Sequence, residues 1–585
     1  MINGNLKSLE LLWLGLASNQ RYRQFVSEKD ILSFKRRVEN EGLPFLTKSL
    51  PLLGKALDRY HSIGEWIPPD GFTIRETIPV FLQDAILPSL KGDSYAVDCV
   101  RQLSYIFYKL ETPYEQQTVR EFLDSFIAID NSLANFSAPN WSLKTVSVLK
   151  KARTLIARIL SNWDPLEIRP KHGTGATACR TASWDKYHKL RYYPKLDETY
   201  SYADYFFYSF THLSDEYEKL EQSKEMEPKA RVCLVPKDSR GPRIISCEPA
   251  ELMFIQQGIM RLLYRILESH FLTSGYINFS DQSINQSKAR EGSINSQYAT
   301  IDLKDASDRV SLSLVKELFP EPWVRCFTAC RSDSTILPDG REVKLQKFAP
   351  MGSSCCFPVE ALVFWALASA SVKGRREIYV YGDDIICPPY MVGEIVDTFE
   401  AVGLQVNRDK CYTQGPFRES CGGDFHKGMD VTPLKLRKVI GSSPSHWVSS
   451  VEFLNNHIKK FGSVPSSIVN LVEDVTGPIP RSSLDLPMVI RESPGASNDV
   501  FFRRRWCKPY QRYEYLVPRL TFRSVKRRDA SWSELLRKEL DRGSSSMPFE
   551  DTLQQLRNEA SGRLLPGEYA DPHSVRIKWV WTWLG

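Results

Sequence analysis

The segment Ile378–Ile386, IYVYGDDII, constrains the fold of this chain more than any other stretch. Apolar, β-prone runs stand on both sides of Gly382, Asp383 and Asp384, the pattern of two short strands joined by a tight turn. Glycine accepts the backbone conformation such a turn demands, and the two acids are presented at its tip. A Gly-Asp-Asp tip by itself is an ordinary surface turn. Its meaning depends on what the rest of the chain brings to it.

A second acidic segment lies upstream. Gln297–Leu303 reads as a strand ending in Asp302, and Asp308 follows six positions later, just before the amphipathic helix Leu312–Phe319. Three carboxylates brought together raise one another's pKa unless a cation neutralises them. Hard oxygen ligands suit Mg²⁺ or Mn²⁺, and two such ions about 4 Å apart can activate a hydroxyl and stabilise a departing pyrophosphate. Further upstream, Arg231–Cys247 (RVCLVPKDSRGPRIISC) reads as a β-hairpin whose tip carries Lys237, Arg240 and Arg243. The short loop His172–Thr177, HGTGAT, reads as a turn in preference to a phosphate loop.

Composition bounds the rest. At roughly 100–200 residues per domain, 585 residues imply several units. With 42% hydrophobic and 25% charged residues the chain is globular. Against 77 Lys and Arg stand 70 Asp and Glu, so any basic surface must be local. Twelve cysteines without a CxxC pair point to free thiols in a reducing cytoplasm and away from a zinc site. The short apolar run Leu11–Ala17 reads as an amphipathic helix and not a signal peptide, and Pro358 and Glu360 interrupt the longest apolar stretch, so no membrane segment is expected. Residues 1–160 read as mostly helical, with three-to-four spacing in Leu9–Leu16, Ile31–Val38 and Val146–Leu160. Near the C-terminus, the alternation Val575, Ile577, Trp579, Trp581, Trp583 predicts a strand with one buried face.

Several segments, in order, carry a family resemblance. TIDLKDASD at 300–308 and YGDD at 381–384 resemble motifs A and C of viral RNA-dependent RNA polymerases, and MGSSCCFPVEALVFW at 351–365 resembles motif B. Residues 406–437, with FRESCGG and DVTPL, resemble the replicase β subunits of the small positive-strand RNA bacteriophages, the leviviruses. The resemblance implies an α+β right-hand polymerase fold: an N-terminal helical region (1–160), fingers with the basic hairpin (161–287), palm (288–420), palm–thumb connection (421–450), and thumb with C-terminal region (451–585). It implies RNA-directed RNA synthesis from NTPs, with two Mg²⁺ ions (or Mn²⁺) held by Asp302, Asp383 and Asp384.

Lys237, Arg240 and Arg243 would neutralise the triphosphate, and Lys410 would stand near the leaving pyrophosphate as a general acid. Asp308 would read the ribose 2′-OH, a role set against that of a plain helix N-terminal acid. Gly352 and Ser353 would belong to the nucleotide site, Ser353 standing where related phage enzymes carry Asn. Template binding is expected at Arg503–Arg505 with Phe501, Phe502, Trp506 and Tyr510. Besides RNA template, RNA product and NTPs, the implied partners are the host elongation factors Tu and Ts and a small-subunit ribosomal protein, in the cytoplasm of a bacterial host. A reverse transcriptase and a catalytically silent RNA-binding protein are the alternatives.

Overall fold

The computed structural model describes residues 2–482, 488–491, 503–526 and 568–582, apart from 138–139, 174, 182–184, 188, 208, 226 and 373–376. The fold mixes helix and sheet. The helices expected in the first 160 residues fall inside Ile2–Ala17, Glu28–Glu41 and Leu143–Leu160. Their ends follow from sequence: Ser27 and Asp30 form a reciprocal capping box, and the Ser142 hydroxyl accepts from the Thr145 N–H at 3.1 Å.

Leu143–Leu160 buries Val148, Leu149, Ala152, Leu155, Ile156 and Ile159, one stripe at helical spacing. That stripe packs on Cys356–Ser371, a helix apolar on nearly all sides and therefore enclosed. Truncating its fully buried Trp365 to Ala would destabilise the fold by about 3–5 kcal/mol. Among the described residues no helix is long and apolar enough to cross a membrane.

Two large apolar cores result. One gathers side chains from between residues 148 and 411, the other joins residues 9–110 to residues 412–490. The chain therefore closes on itself. Backbone bonds from Leu436 N–H to Ile106 C=O and from Glu111 N–H to Arg437 C=O, each 2.8 Å, seal that closure.

The strands that matter for the site are β1 (Lys229–Asp238), β2 (Gly241–Cys247), β3 (Ala299–Ile301), β4 (Tyr379–Tyr381) and β5 (Asp384–Cys387). Toward the C-terminus lie β6 (Arg504–Cys507), β7 (Arg512–Lys526) and β8 (Glu568–Thr582). β1 and β2 form the expected hairpin, and β1 also pairs in parallel with Ser334–Ile336. β5 is the centre of an antiparallel sheet between β3 and β4. β8 contains the expected C-terminal strand, but its aromatic face is only partly covered. Ile577 packs on the second core and Arg505 lies 4.6 Å over the Trp581 ring, whereas Trp579 between them is 49% exposed. Trp583 lies outside the described residues.

Candidate active site

The register of the central sheet brings the distant acids together. Ile385 pairs with Ile301 and Asp384 with Tyr381, so Asp302, one step past β3, and Asp383, in the β4–β5 turn, sit at the same end of the sheet. Ile301, Val380 and Ile385 pack in the first large core and Ile386 in a small cluster on the opposite face, so a one-residue slip would set each side chain against the wrong neighbours. Gly382 has φ +61°, and a Cβ there would lie 2.1 Å from the Phe357 ring, so only glycine fits the turn.

The carboxylates are held by neutral donors. Asn407 donates its side-chain amide to Asp302 at 2.7 Å and its backbone N–H to the Asp302 carbonyl at 2.9 Å. Asp384 accepts the Cys421 N–H at 3.1 Å. Burial pushes the Asp302 carboxyl up to about 6, against the pull of Lys410. Asp384 is raised well above the usual range by burial and then by Asp383 and Asp302.

Lys410 lies 3.5 Å from Glu419, which raises its pKa. Burial pushes Glu419 up, but Lys410 and then Arg101 outweigh it and hold this acid below its ordinary range.

Among the described residues no three acidic, His or Cys side chains converge into a ready metal cage. The donor chemistry still fits Mg²⁺: polymerase-type sites take one or two carboxylates and complete the shell with water and substrate phosphate. Hard oxygens whose pKa values are raised by burial and mutual repulsion gain most from such a cation.

The other expected residues fall into two groups. Asp308 is drawn to Lys347, a fully buried lysine that donates to it at 3.0 Å, sits 3.5 Å over the Phe126 ring and lies 3.9 Å from Asp130. Gly352 has φ +118°, and a Cβ there would lie 2.4 Å from the Ser246 carbonyl, so the 351–353 loop lies against β2. The Ser353 hydroxyl points inward and donates to the Gln256 side-chain oxygen at 3.0 Å.

At the hairpin tip, Arg240 pairs with Asp238 at 2.8 Å, while Lys237 and Arg243 are exposed. The Tyr108 ring forms a hub there: Lys55, Lys109 and Arg240 lie 5.4, 5.8 and 5.0 Å from its centroid. Burial and then Lys435 push Lys109 down to about 8. Among the described residues Lys55, Lys109, Lys237, Arg243 and Lys435 have no carboxylate at ion-pair distance. The sequence reading missed Lys55 and Lys109, which carry no local motif, and also Asn407, Glu419 and Lys435, which lie within the 406–437 segment that carries the phage resemblance.

Lys186 donates to the carbonyls of Gly173 and Gly175 in the HGTGAT loop at 2.6 Å each, and Thr174 lies outside the described residues. In the expected template patch Trp506 and Tyr510 are exposed, and Phe501 and Phe502 lie outside the described residues.

Comparison with known proteins gives the family. The chain belongs to the RNA replicase, beta-chain family, which matches residues 129–469. It is 38% identical over 244 residues to the RNA-directed RNA polymerase subunit beta of Enterobacteria phage SP, covering 41% of each chain. It is 39% identical over 222 residues to that of Escherichia virus Qbeta, covering 37% of each. To the RNA-directed RNA polymerase beta chain of Escherichia phage MS2 it is 35% identical over 212 residues, 36% of this chain and 38% of that one. The matches thus span about two fifths of these relatives' length.

Proposed function

We propose that this chain is an RNA-directed RNA polymerase of right-hand architecture, with fingers, palm and thumb, that replicates a positive-strand RNA phage genome. The observation that carries the reading is the placement of Asp302, Asp383 and Asp384 at one end of the same sheet, with no cation at ion-pair distance from Asp302 or Asp384 among the described residues. These three would hold two Mg²⁺ ions, or Mn²⁺, which when bound lower the pKa of the RNA 3′-OH and screen the charge of the leaving pyrophosphate.

Lys237, Arg240 and Arg243 orient the triphosphate, joined by Lys55, Lys109 and Lys435 around Tyr108. Lys410, its proton held tightly by Glu419, stabilises the departing pyrophosphate as a fixed charge and serves as general acid only if Glu419 releases it. Asp308, positioned by Lys347, accepts the ribose 2′-OH, and Gly352 lets the Ser353 loop approach the hairpin that carries the triphosphate. The family resemblance extends the proposal to host elongation factors Tu and Ts and a small-subunit ribosomal protein as partners, in the cytoplasm of the bacterial host.

The test is RNA-templated incorporation by purified protein in Mg²⁺, with and without host extract, comparing NTPs with dNTPs. NTP incorporation that Asp383→Asn abolishes is the expected result. Preference for dNTPs would instead indicate a reverse transcriptase, and no incorporation under any condition would leave a silent RNA-binding protein.

A further inference from the structure

The β6–β7–β8 sheet has no role in the chemistry above, yet its composition is far from average. Its three strands contain eight Lys and Arg against three carboxylates, Glu514, Glu568 and Asp571. Arg505 and Arg512 both turn to Glu514, at 2.8 and 3.8 Å.

The register divides the sheet into two faces. Leu520 pairs with Ile577, and both pack on the second core. The opposite face carries Trp506 paired with Tyr513, then Val517 with Val580, Arg519 with Lys578, and Thr521 with Arg576. Trp506 and Tyr513 are 51% and 45% exposed and meet edge to face at 4.9 Å, while Lys578 and Arg576 are exposed. Arg519 reaches back to the Thr582 hydroxyl at 3.0 Å, which carries its stem across the Val517–Val580 pair.

Two like charges directly opposite on an antiparallel pair repel each other. A phosphate backbone lying along the exposed Lys578 and Arg576 would meet positive charge on this face. Aromatic rings in line with that pair, at one end of the same face, supply what a single-stranded nucleic acid requires: phosphates on the cations and bases on the rings. From Tyr513 to Thr521 the strand runs roughly 27 Å at about 3.4 Å per residue, enough for several nucleotides.

We propose that this face binds single-stranded RNA, with Arg519, Lys578 and Arg576 on its phosphates and Trp506 and Tyr513 stacking its bases. The proposal deepens the polymerase reading by placing a template or product track outside the carboxylate site. Its test does not require catalysis.

Binding of a labelled, unstructured oligouridine to the full chain would be followed by anisotropy over a range of salt, alongside thermal melting of each variant. The double variant Arg519→Ala/Lys578→Ala should weaken binding about tenfold and reduce the log–log salt slope by about 1.4, the loss of two single-strand phosphate contacts. Trp506→Ala should weaken binding by about tenfold with the slope unchanged, and Trp506→Tyr should retain it. Arg519→Lys, which keeps the charge, should hold the slope and serves as the folding control. Wild-type affinity and slope in both alanine variants would overturn the proposal and leave the face to a protein partner. An equal loss of affinity for duplex RNA would overturn the single-strand assignment. Intact binding losses in a chain that incorporates nothing would count against the polymerase reading alone.

Discussion

Two clusters of charge, one buried and one half-buried, lie against the hairpin of residues 417–426, and the protein treats them in opposite ways. Where the N-terminal helices meet the hairpin, Arg101 is 2% exposed and donates to both Asp58 and Asp424. Every charge there has a fixed partner. At the sheet end Asp302 accepts from the Asn407 amide and Asp384 from the Cys421 N–H, and Lys410 is committed to Glu419. A buried acid with a built-in cation holds structure together, whereas buried acids left short of positive charge await a ligand that brings it.

The sharpest way to break this contrast is to neutralise one acid in each cluster's logic. Asp383→Asn should lower incorporation by about 10³-fold or more, on the scale of losing a principal charge-stabilising group. Its melting temperature should stay level or rise, because Asp383 is a repulsive neighbour of Asp384. Parallel loss of activity and fold in that variant would show that the Asp383 carboxylate holds structure together instead of serving the reaction.

Arg101→Met should do the reverse. It leaves Asp58 and Asp424 facing each other without a cation, at a cost of about 3–5 kcal/mol in chemical denaturation. A change under about 1 kcal/mol would show that the junction does not depend on the triad.

The two clusters also differ in how far they could be read from sequence. The hairpin around Gly382 is a local pattern, and the acid at Asp302 closes a strand of its own, so both were legible from alternation and turn chemistry. The basic hairpin at Lys237–Arg243 was legible for the same reason. Arg101 and Asp424 stand 323 residues apart, and nothing near either announces the other. The shared core of residues 9–110 and 412–490 is likewise invisible to periodicity, which shows that a face is apolar without naming what covers it. Ser353 illustrates a further limit: a motif position was recognisable, but the direction of its hydroxyl, toward Gln256, depends on a helix about a hundred residues away.

The junction has a pH signature opposite in sign to that of the raised acids at the sheet end. His61 stacks on Phe417 at 5.1 Å and is pushed down to about 3 by burial and then by His426. His426, bonded to the Ser94 hydroxyl at 2.7 Å, is pushed down to about 4 by burial and then by Lys427. Both rings stay neutral in the fold while the unfolded chain protonates them near 6.5. Their contribution is therefore complete above pH 6.5 and is lost as pH falls toward 4, on the order of 2–3 kcal/mol for each ring. His61→Phe keeps the stacking and should flatten part of that acid limb in melts between pH 7 and 4.5. An unchanged limb would place the acid sensitivity elsewhere.

Lys347 is an intermediate case, a buried cation that serves a site residue. Lys347→Met removes the partner of Asp308 and should destabilise by about 2 kcal/mol, with a several-fold loss of discrimination between NTP and dNTP. Stability lost with discrimination intact would leave Asp308 as a helix-end acid.

The smallest expected effect belongs to Lys109, and it tests whether the Tyr108 cluster is short of negative charge as the sheet end is short of positive. Lys435, Lys237 and Lys410 repel its cation, Asp238 attracts it, and burial dominates, leaving it near 8. Below that pH the buried charge weighs on the fold, and the burden is relieved as pH rises through 8 toward the usual lysine range. A bound triphosphate would reverse the shift, so the NTP KM should climb as pH passes through 8 while the remaining cations stay charged. Lys109→Met should raise KM about three- to tenfold at pH 7, leave kcat nearly unchanged and abolish that inflection. If the inflection persists in the variant, another group produces it and Lys109 is only a wall of the cluster.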